Sequence, residues 1–272
     1  PVAHSFPTRR SSDLQKFQNR IFETEFSFAI ITPPTPPEVQ RNVFKRLNTG
    51  GLPLTQQEIR HALYYGPSAE LLKELANSKP FKRATDHRVN DSRMGARELV
   101  LRFLAFLIRG IESYPKNEDM DAFLSDTMQL LNLMPEFIPE DVEKALGDGA
   151  AEMIVHYRDF ETLRAKFELA MNRAFQLFNI HAFRKSTPGS RYRTPVNKAL
   201  FESWSFVLAE MEEGRFLELK AKRKSLYEVI VDRMYRADPV FERSISRDSH
   251  KQSGVKSRYR IINEIVDHVL QE

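Results

Sequence analysis

From residue 66 onward, apolar side chains return every three or four positions almost without a break, and that spacing restricts the chain to a helical fold. The run LVLRFLAFLI, 99–108, is interrupted only by Arg102, so this helix is expected at the centre of the core. Met120, Phe123, Leu124, Met128 and Leu131 mark a second stripe, closed by Pro135. Ile154, Tyr157, Phe160, Phe167, Met171, Ala174 and Phe178 predict one long helix over 150–183, about nine turns at 3.6 residues each. Leu200, Trp204, Val207 and Met211 define another stripe, and 226–234 and 255–270 supply two more. No period of roughly 20–50 residues recurs, which argues against a solenoid.

The beginning of the chain reads differently. FETEFSFAIIT, 22–32, mixes β-branched and aromatic residues and predicts a strand. The prolines of PPTPP hold the chain extended beyond it. Thr35 and Glu38 have the spacing of a helix-capping box, and Val39, Val43, Phe44 and Leu47 share one face of the helix that follows. Asn48, Thr49, Gly50 and Gly51 suit a C-terminal stop, because Gly and Asn tolerate left-handed backbone. The same grammar repeats with Thr55 and Glu58, then Ile59, Ala62 and Leu63, closed by Gly66 and Pro67. A short amphipathic helix over 68–76 comes next. HSFPTRRSSDL, 4–14, has no apolar periodicity and reads as a disordered tail; its wording resembles the in-frame translation of a common sequencing-adapter oligonucleotide. On that reading 1–14 is artefactual or disordered and the natural N-terminus is missing.

The sequence has 41 basic and 37 acidic residues, a net charge of +4, which permits nucleic-acid contact without requiring it. It has no cysteine, which excludes disulfides, thiolate metal sites and cysteine nucleophiles in these 272 residues and points to a reducing, cytoplasmic compartment. The longest apolar run is too short to span a bilayer, which needs roughly 20 residues. Three polar, basic stretches, 82–93, 183–195 and 246–260, read as loops where a partner is met. A composition change near 110–117 suggests a boundary, with one domain over 15–110 and a helical extension over 111–272.

Familiar catalytic signatures are absent: there is no Gly-x-Ser-x-Gly, no Gly-x-x-x-x-Gly-Lys and no His-Glu-x-x-His. His61, His87, His156, His181, His250 and His268 are scattered, with no two at helical-ligand spacing, so no metal site is assigned and no catalytic residue either. Glu218 and Lys220 have the Glu-x-Lys spacing of half a metal-nuclease site, but FLELKAKRK around them reads as a solvated charged helix. The sharpest signal is VFKRLNTGGLPLTQQEIRHAL, 43–63, a helix, a glycine turn and a capped helix with Lys45, Arg46, Glu58 and Arg60 about the turn. Such a turn can offer backbone N–H groups and arginines to a phosphate. Equally, it can be a tight connection in which Glu58 caps and the arginines are solvated.

The pattern Phe44-x-Arg46-Leu47-Asn48-Thr49-Gly50-Gly51, followed by Leu54-Thr55-x-x-Glu58-Ile59-Arg60, resembles the N-terminal domain of GmrSD-type restriction proteins. FSFAIIT stands where that family has a strand, and 197–209 with FERSIS and SRYRIINEIV look like its helical half, so the likeness extends loosely from Gln15 to the end. It implies a mostly α protein: a helical, bundle-like C-terminal part preceded by the remnant, about one strand plus helix-turn-helix, of a ParB- or sulfiredoxin-like α/β domain. It also implies a prokaryotic defence protein whose intact form binds nucleotide and DNA. On this resemblance Arg46, Asn48, Gly50, Gly51, Glu58 and Arg60 border the nucleotide or phosphate site. An NTP, with Mg, is the implied cofactor of the intact protein. The family's Asp-Gly-Gln-Gln-Arg motif, tied to nucleotide hydrolysis, does not occur here, nor does its C-terminal His-Asn-His nuclease, so this chain is expected to be inactive by itself. Arg184, Lys185, Arg191 and Arg193 are the expected DNA contacts. A second reading makes the chain a non-catalytic helical module that recruits a separate nuclease subunit.

Overall fold

The computed structural model describes residues 11–272 except 26, 27, 29, 31, 33, 34, 36, 48–51, 118, 148 and 235–238; the side chains of 11–13, 37, 38, 41, 45 and 47 are likewise outside the description. Two compact units result, Pro1–Arg46 and Leu47–Glu272. The described residues are predominantly helical and contain no strand, only an isolated antiparallel bridge between Arg184 and Val196.

The first unit contains helix α1 (Ser11–Phe22) and most of α2 (Pro37–Leu47). Residues 11–14, expected to belong to a structureless tail, are therefore helical, and 1–10 lie outside the described residues. The strand expected over 22–32 is corrected in part: Phe22 closes α1, and the described residues of 23–32 are not paired as a strand. Residues 26, 27, 29 and 31 of it are outside the description. Gln15, Lys16, Gln18 and Arg20 favour a helix, with Leu14, Phe17 and Ile21 at helical spacing, whereas a strand needs a neighbouring strand to satisfy its backbone. The expected cap of α2 falls partly outside the described side chains at Glu38; the Thr35 hydroxyl donates to the Thr32 carbonyl at 2.6 Å.

The second unit is built around α6 (Gly95–Arg109), whose residues Val100, Leu101 and 103–108 are at most 1% exposed. Helices α4 (Pro67–Asn77), α7 (Met120–Asn132) and α10 (Lys198–Glu210) pack directly on it. Helix α10 also packs on α9 (Phe160–Phe178), which meets α6 through Phe103 and Phe167 and carries α5 (Lys79–Ala84) against it. Helix α14 (Gln252–Gln271) gathers α10, α11 (Glu213–Ala221), α12 (Arg223–Asp232) and α13 (Pro239–Ser244). Two aromatic clusters knit these layers, one of Phe81, Phe103, Phe167, Phe183 and Phe201, the other of Phe106, Tyr114, Phe123, Phe206 and Tyr259. Burying each such ring contributes about 1.5–3 kcal/mol. The core is continuous from Leu71 to Val269, so Gly110, where the sequence suggested a boundary, lies within this unit.

Several elements differ from the sequence reading for identifiable reasons. The long helix expected over 150–183 is the shorter α9: Asp159 caps it, its side chain accepting from Thr162 N at 2.7 Å, and Asn179, at φ 49°, turns the chain out of it. Before it, His156 N donates to Ile108 O at 2.8 Å, a bond to another element that a continuing helix would forbid. The expected loop 246–260 ends at Lys251, because α14 takes in SGVKSRYR and buries Val255, Arg258 and Tyr259. Helix α8 (Pro139–Leu146), started by a proline, was not anticipated.

Candidate functional site

Helix α3 (Gln56–Leu63) begins with the capping box that its sequence predicts. The Thr55 hydroxyl accepts from Glu58 N at 3.2 Å, and Thr55 N donates to Glu58 Oε2 at 2.6 Å. Glu58 is engaged again by Arg93, which donates through Nε to Oε1 and through Nη2 to Oε2, both at 2.9 Å. Arg93 also reaches the Pro53 carbonyl and so fastens the approach to the helix. The hydrogen bond from Arg93, then the Thr55 backbone N–H, hold the Glu58 carboxyl below the ordinary carboxylate value.

Arg60, two residues on, points inward and is 2% exposed. Its Nη1 donates to Asp121 Oδ1 on α7 at 2.7 Å and its Nε to Gln57 Oε1 at 3.0 Å. Burial pulls the guanidinium below its ordinary value, and the Asp121 carboxylate opposes that shift. Gln57 is buried against Met128. Glu58 and Arg60 thus make helix-start and helix-helix contacts, the carboxylate engaged by Arg93 and the guanidinium buried against Asp121. Arg46 is exposed and belongs to the first unit, while Asn48, Gly50 and Gly51 lie outside the described residues.

The start of α4 is fastened to α7 in a similar way. Asn132 accepts from Ser68 N at 2.9 Å and donates to Tyr64 O at 3.0 Å, satisfying two helix-end groups at once. A Cβ on Gly66 would lie 2.7 Å from the Asn132 amide oxygen, so any other residue there would have to displace the amide that makes these two bonds.

The basic stretch 183–195 is equally drawn into the fold. Arg184, 6% exposed, donates to the carbonyls of Ile180, Thr194 and Thr85. Lys185 reaches Ser246 Oγ at 2.5 Å and Glu242 at 3.4 Å, and Arg193 pairs with Asp86 at 2.6 Å. Arg191 is exposed and lies over the Tyr192 ring. Of the four expected DNA contacts, then, Arg184 clamps the loop, Lys185 and Arg193 hold partners on neighbouring segments, and Arg191 faces solvent.

A charge cluster that the sequence reading missed lies deeper. Glu202 on α10 is fully buried and is paired with Arg258 on α14, also fully buried, and with Arg102 on α6 at 3.0 Å. Arg102 continues to Glu98 at 3.1 Å, and Glu98 to Lys198 at 2.7 Å. Burial opposes the charge on Arg102, but Glu202 and then Glu98 outweigh it and raise its pKa. The same balance holds at Glu98, where burial favours the neutral acid but Arg102 and then Lys198 outweigh it and lower the pKa. Arg258 also donates to Ser249 O at 2.9 Å, and its Nε has no hydrogen-bond partner among the described residues. The readable signal was a charged residue inside each of two apolar runs, Arg102 in LVLRFLAFLI and Glu202 in ALFESWSFVLA.

Among the described residues no group of three or more His, Cys, Asp or Glu side chains could hold a metal ion. Glu218 pairs with Lys222, and Lys220 donates to Gln176, so the Glu-x-Lys pair is part of a helix surface. No described helix is long and apolar enough to cross a membrane. No family model, curated protein or solved structure matches the chain.

Proposed function

We propose that the helical unit is a non-catalytic interaction module of a restriction-type defence protein, recruiting a separate nuclease rather than performing chemistry. One observation carries the reading: Glu58 and Arg60, the charged residues of the turn motif in this unit, face Arg93 and Asp121 and leave no free charged pair for a phosphate. The affiliation with defence, and with a ParB-like α/β remnant over 15–110, rests on the sequence motif at 44–60. Nucleotide and DNA binding by the intact protein rests on the same motif, with Arg46 and the turn at 48–51 as its remaining candidates.

The test is expression of the tagged chain from its own locus, followed by isolation under native conditions and an assay for phosphate release from ATP and GTP with Mg2+. Co-isolation of a nuclease polypeptide with no hydrolysis by the chain alone is expected. Isolation of the chain without a partner, or hydrolysis that co-elutes with it and is reduced in Glu58→Gln, would overturn the reading.

A further inference from the structure

We infer that a groove at the α11–α12 corner binds a phosphate ester carrying a nucleobase, either a single nucleic-acid strand or a free nucleotide. The groove encloses about 770 Å³. One wall is the end of α9 and the turn after it, with Leu177, Phe178 and Ile180; the other is Lys220, Arg223, Lys224 and Tyr227 across the α11–α12 junction, with Pro188 at the rim. Among the described residues no aspartate or glutamate lines it, while Lys220, Arg223, Lys224 and His181 do.

What separates this cluster from an ordinary solvated helix surface is that three cations and an apolar wall line one groove. Elsewhere, exposed or half-exposed basic side chains meet carboxylates at Arg164–Glu74, Arg215–Asp267, Lys256–Glu112, Arg260–Glu264 and Lys251–Asp248, while exposed Lys79, Lys116 and Lys144 make no ion pair among the described residues. Lys222, inside the same basic run, is likewise neutralised by Glu218 and turned towards the Leu270 carbonyl. Its three neighbours have no such partner. Lys220 donates to the neutral Gln176 amide at 2.8 Å, and Arg223 makes one long contact to the Gln176 carbonyl at 3.5 Å. Lys224 makes no hydrogen bond or ion pair among the described residues. Gln176 therefore holds two cations on one side of the groove without cancelling their charge. Clustered positive charge in a concave site attracts anions more strongly than the same charges spread over a convex surface.

The apolar half of the lining specifies the rest of the ligand. Tyr227 is fixed by donating its hydroxyl to Phe178 O at 2.9 Å, and burial pushes that hydroxyl up to about 12, so it stays protonated and its ring serves as wall. Ile180, 40% exposed, and Pro188 add apolar surface facing solvent. Cations on one side and an exposed apolar surface on the other match a phosphate joined to a planar base, and the volume falls in the range of about 300–1,000 Å³ that suits small ligands. The site lies wholly within the second unit and does not depend on nuclease recruitment.

The test is fluorescence anisotropy of the full chain with a labelled oligothymidylate and, in a parallel titration, unlabelled AMP as competitor. A strand contacting all three cations is expected to show a log–log salt slope of about −2, from roughly 0.7 per phosphate for single strands, and to resist AMP. Displacement by AMP at similar concentration, with little salt dependence, assigns the site to free nucleotide. The combined variant Lys220→Gln, Arg223→Gln, Lys224→Gln should lose about tenfold or more in affinity at low salt. Its far-UV circular dichroism and thermal transition should match the wild type, because all three side chains are exposed. Arg215→Gln, outside the groove, should bind as wild type. Failure to bind either ligand, or equal binding by wild type and the combined variant, would overturn the assignment.

Discussion

The capped start of α3 and the α11–α12 corner are both short charged segments, and the fold treats them in opposite ways. Around α3 the distinctive residues face inward: Glu58 saturated by Arg93, and Arg60 sealed against Asp121. At the corner an unremarkable run, FLELKAKRK, leaves Lys220, Arg223 and Lys224 facing an open groove without a carboxylate. A recognisable motif can mark residues that a fold needs for itself, while a bland charge run can hold the ligand-facing groups. What separates the two is the neighbour each cation meets, and that neighbour is distant in sequence.

If inward charges maintain the fold and outward ones do not, the largest effect belongs to the buried cluster. Glu202→Gln would leave Arg258 and Arg102 without their shared carboxylate and should cost about 3–5 kcal/mol in urea denaturation. A loss below 1 kcal/mol would mean that water or a rearranged carboxylate neutralises these arginines. Arg184→Ala removes a charged donor from three carbonyls and should cost about 2–3 kcal/mol. A neutral result would return 183–195 to the status of a solvated basic loop. Thr55→Ala should cost about 1 kcal/mol through loss of the helix cap.

The acid limb of stability tests Glu58 directly. Its folded-state pKa is lowered chiefly by Arg93, so its contribution is full above the ordinary value of 4.5 and is lost as pH falls through the depressed value. Glu58→Gln should flatten the loss of stability over that window and leave the slope at neutral pH unchanged, measured by denaturation across the acid range. The smallest effect is expected at the outward corner: Lys224→Gln should change stability by no more than about 0.5 kcal/mol. A marked destabilisation there would dissolve the contrast between the two regions.

The comparison also shows which features were legible. Both halves of the Thr55–Glu58 cap were readable, because a capping box is closed by residues three apart and needs nothing from the rest of the molecule. The α6 run and the stripes of α7 and α10 were readable because burial on one face imposes a spacing on the sequence. Residues 150–159 and 246–260 were misjudged in opposite directions. The first carries helical spacing but is held off the helix by Asp159 and the His156–Ile108 bond. The second has polar, loop-like wording, yet Arg258 within it is buried in α14 because Glu202, 56 positions away, neutralises it. Of the strand expected at 22–32, Phe22 instead closes α1; a strand depends on a partner that no local pattern supplies.

By itself the sequence determined a cysteine-free, mostly α chain, the places where α3, α6, α7 and α10 form, and the cap that starts α3, all consequences of interactions within a few residues. Only the tertiary structure decided which charges are internal and which are offered to a ligand. The reason is physical: the fate of a guanidinium or ammonium group depends on the carboxylate, carbonyl or water within about 3 Å of it. For Arg60, Arg184 and Arg258 those neighbours come from segments far along the chain, whereas for Lys220, Arg223 and Lys224 the packing brings no carboxylate among the described residues.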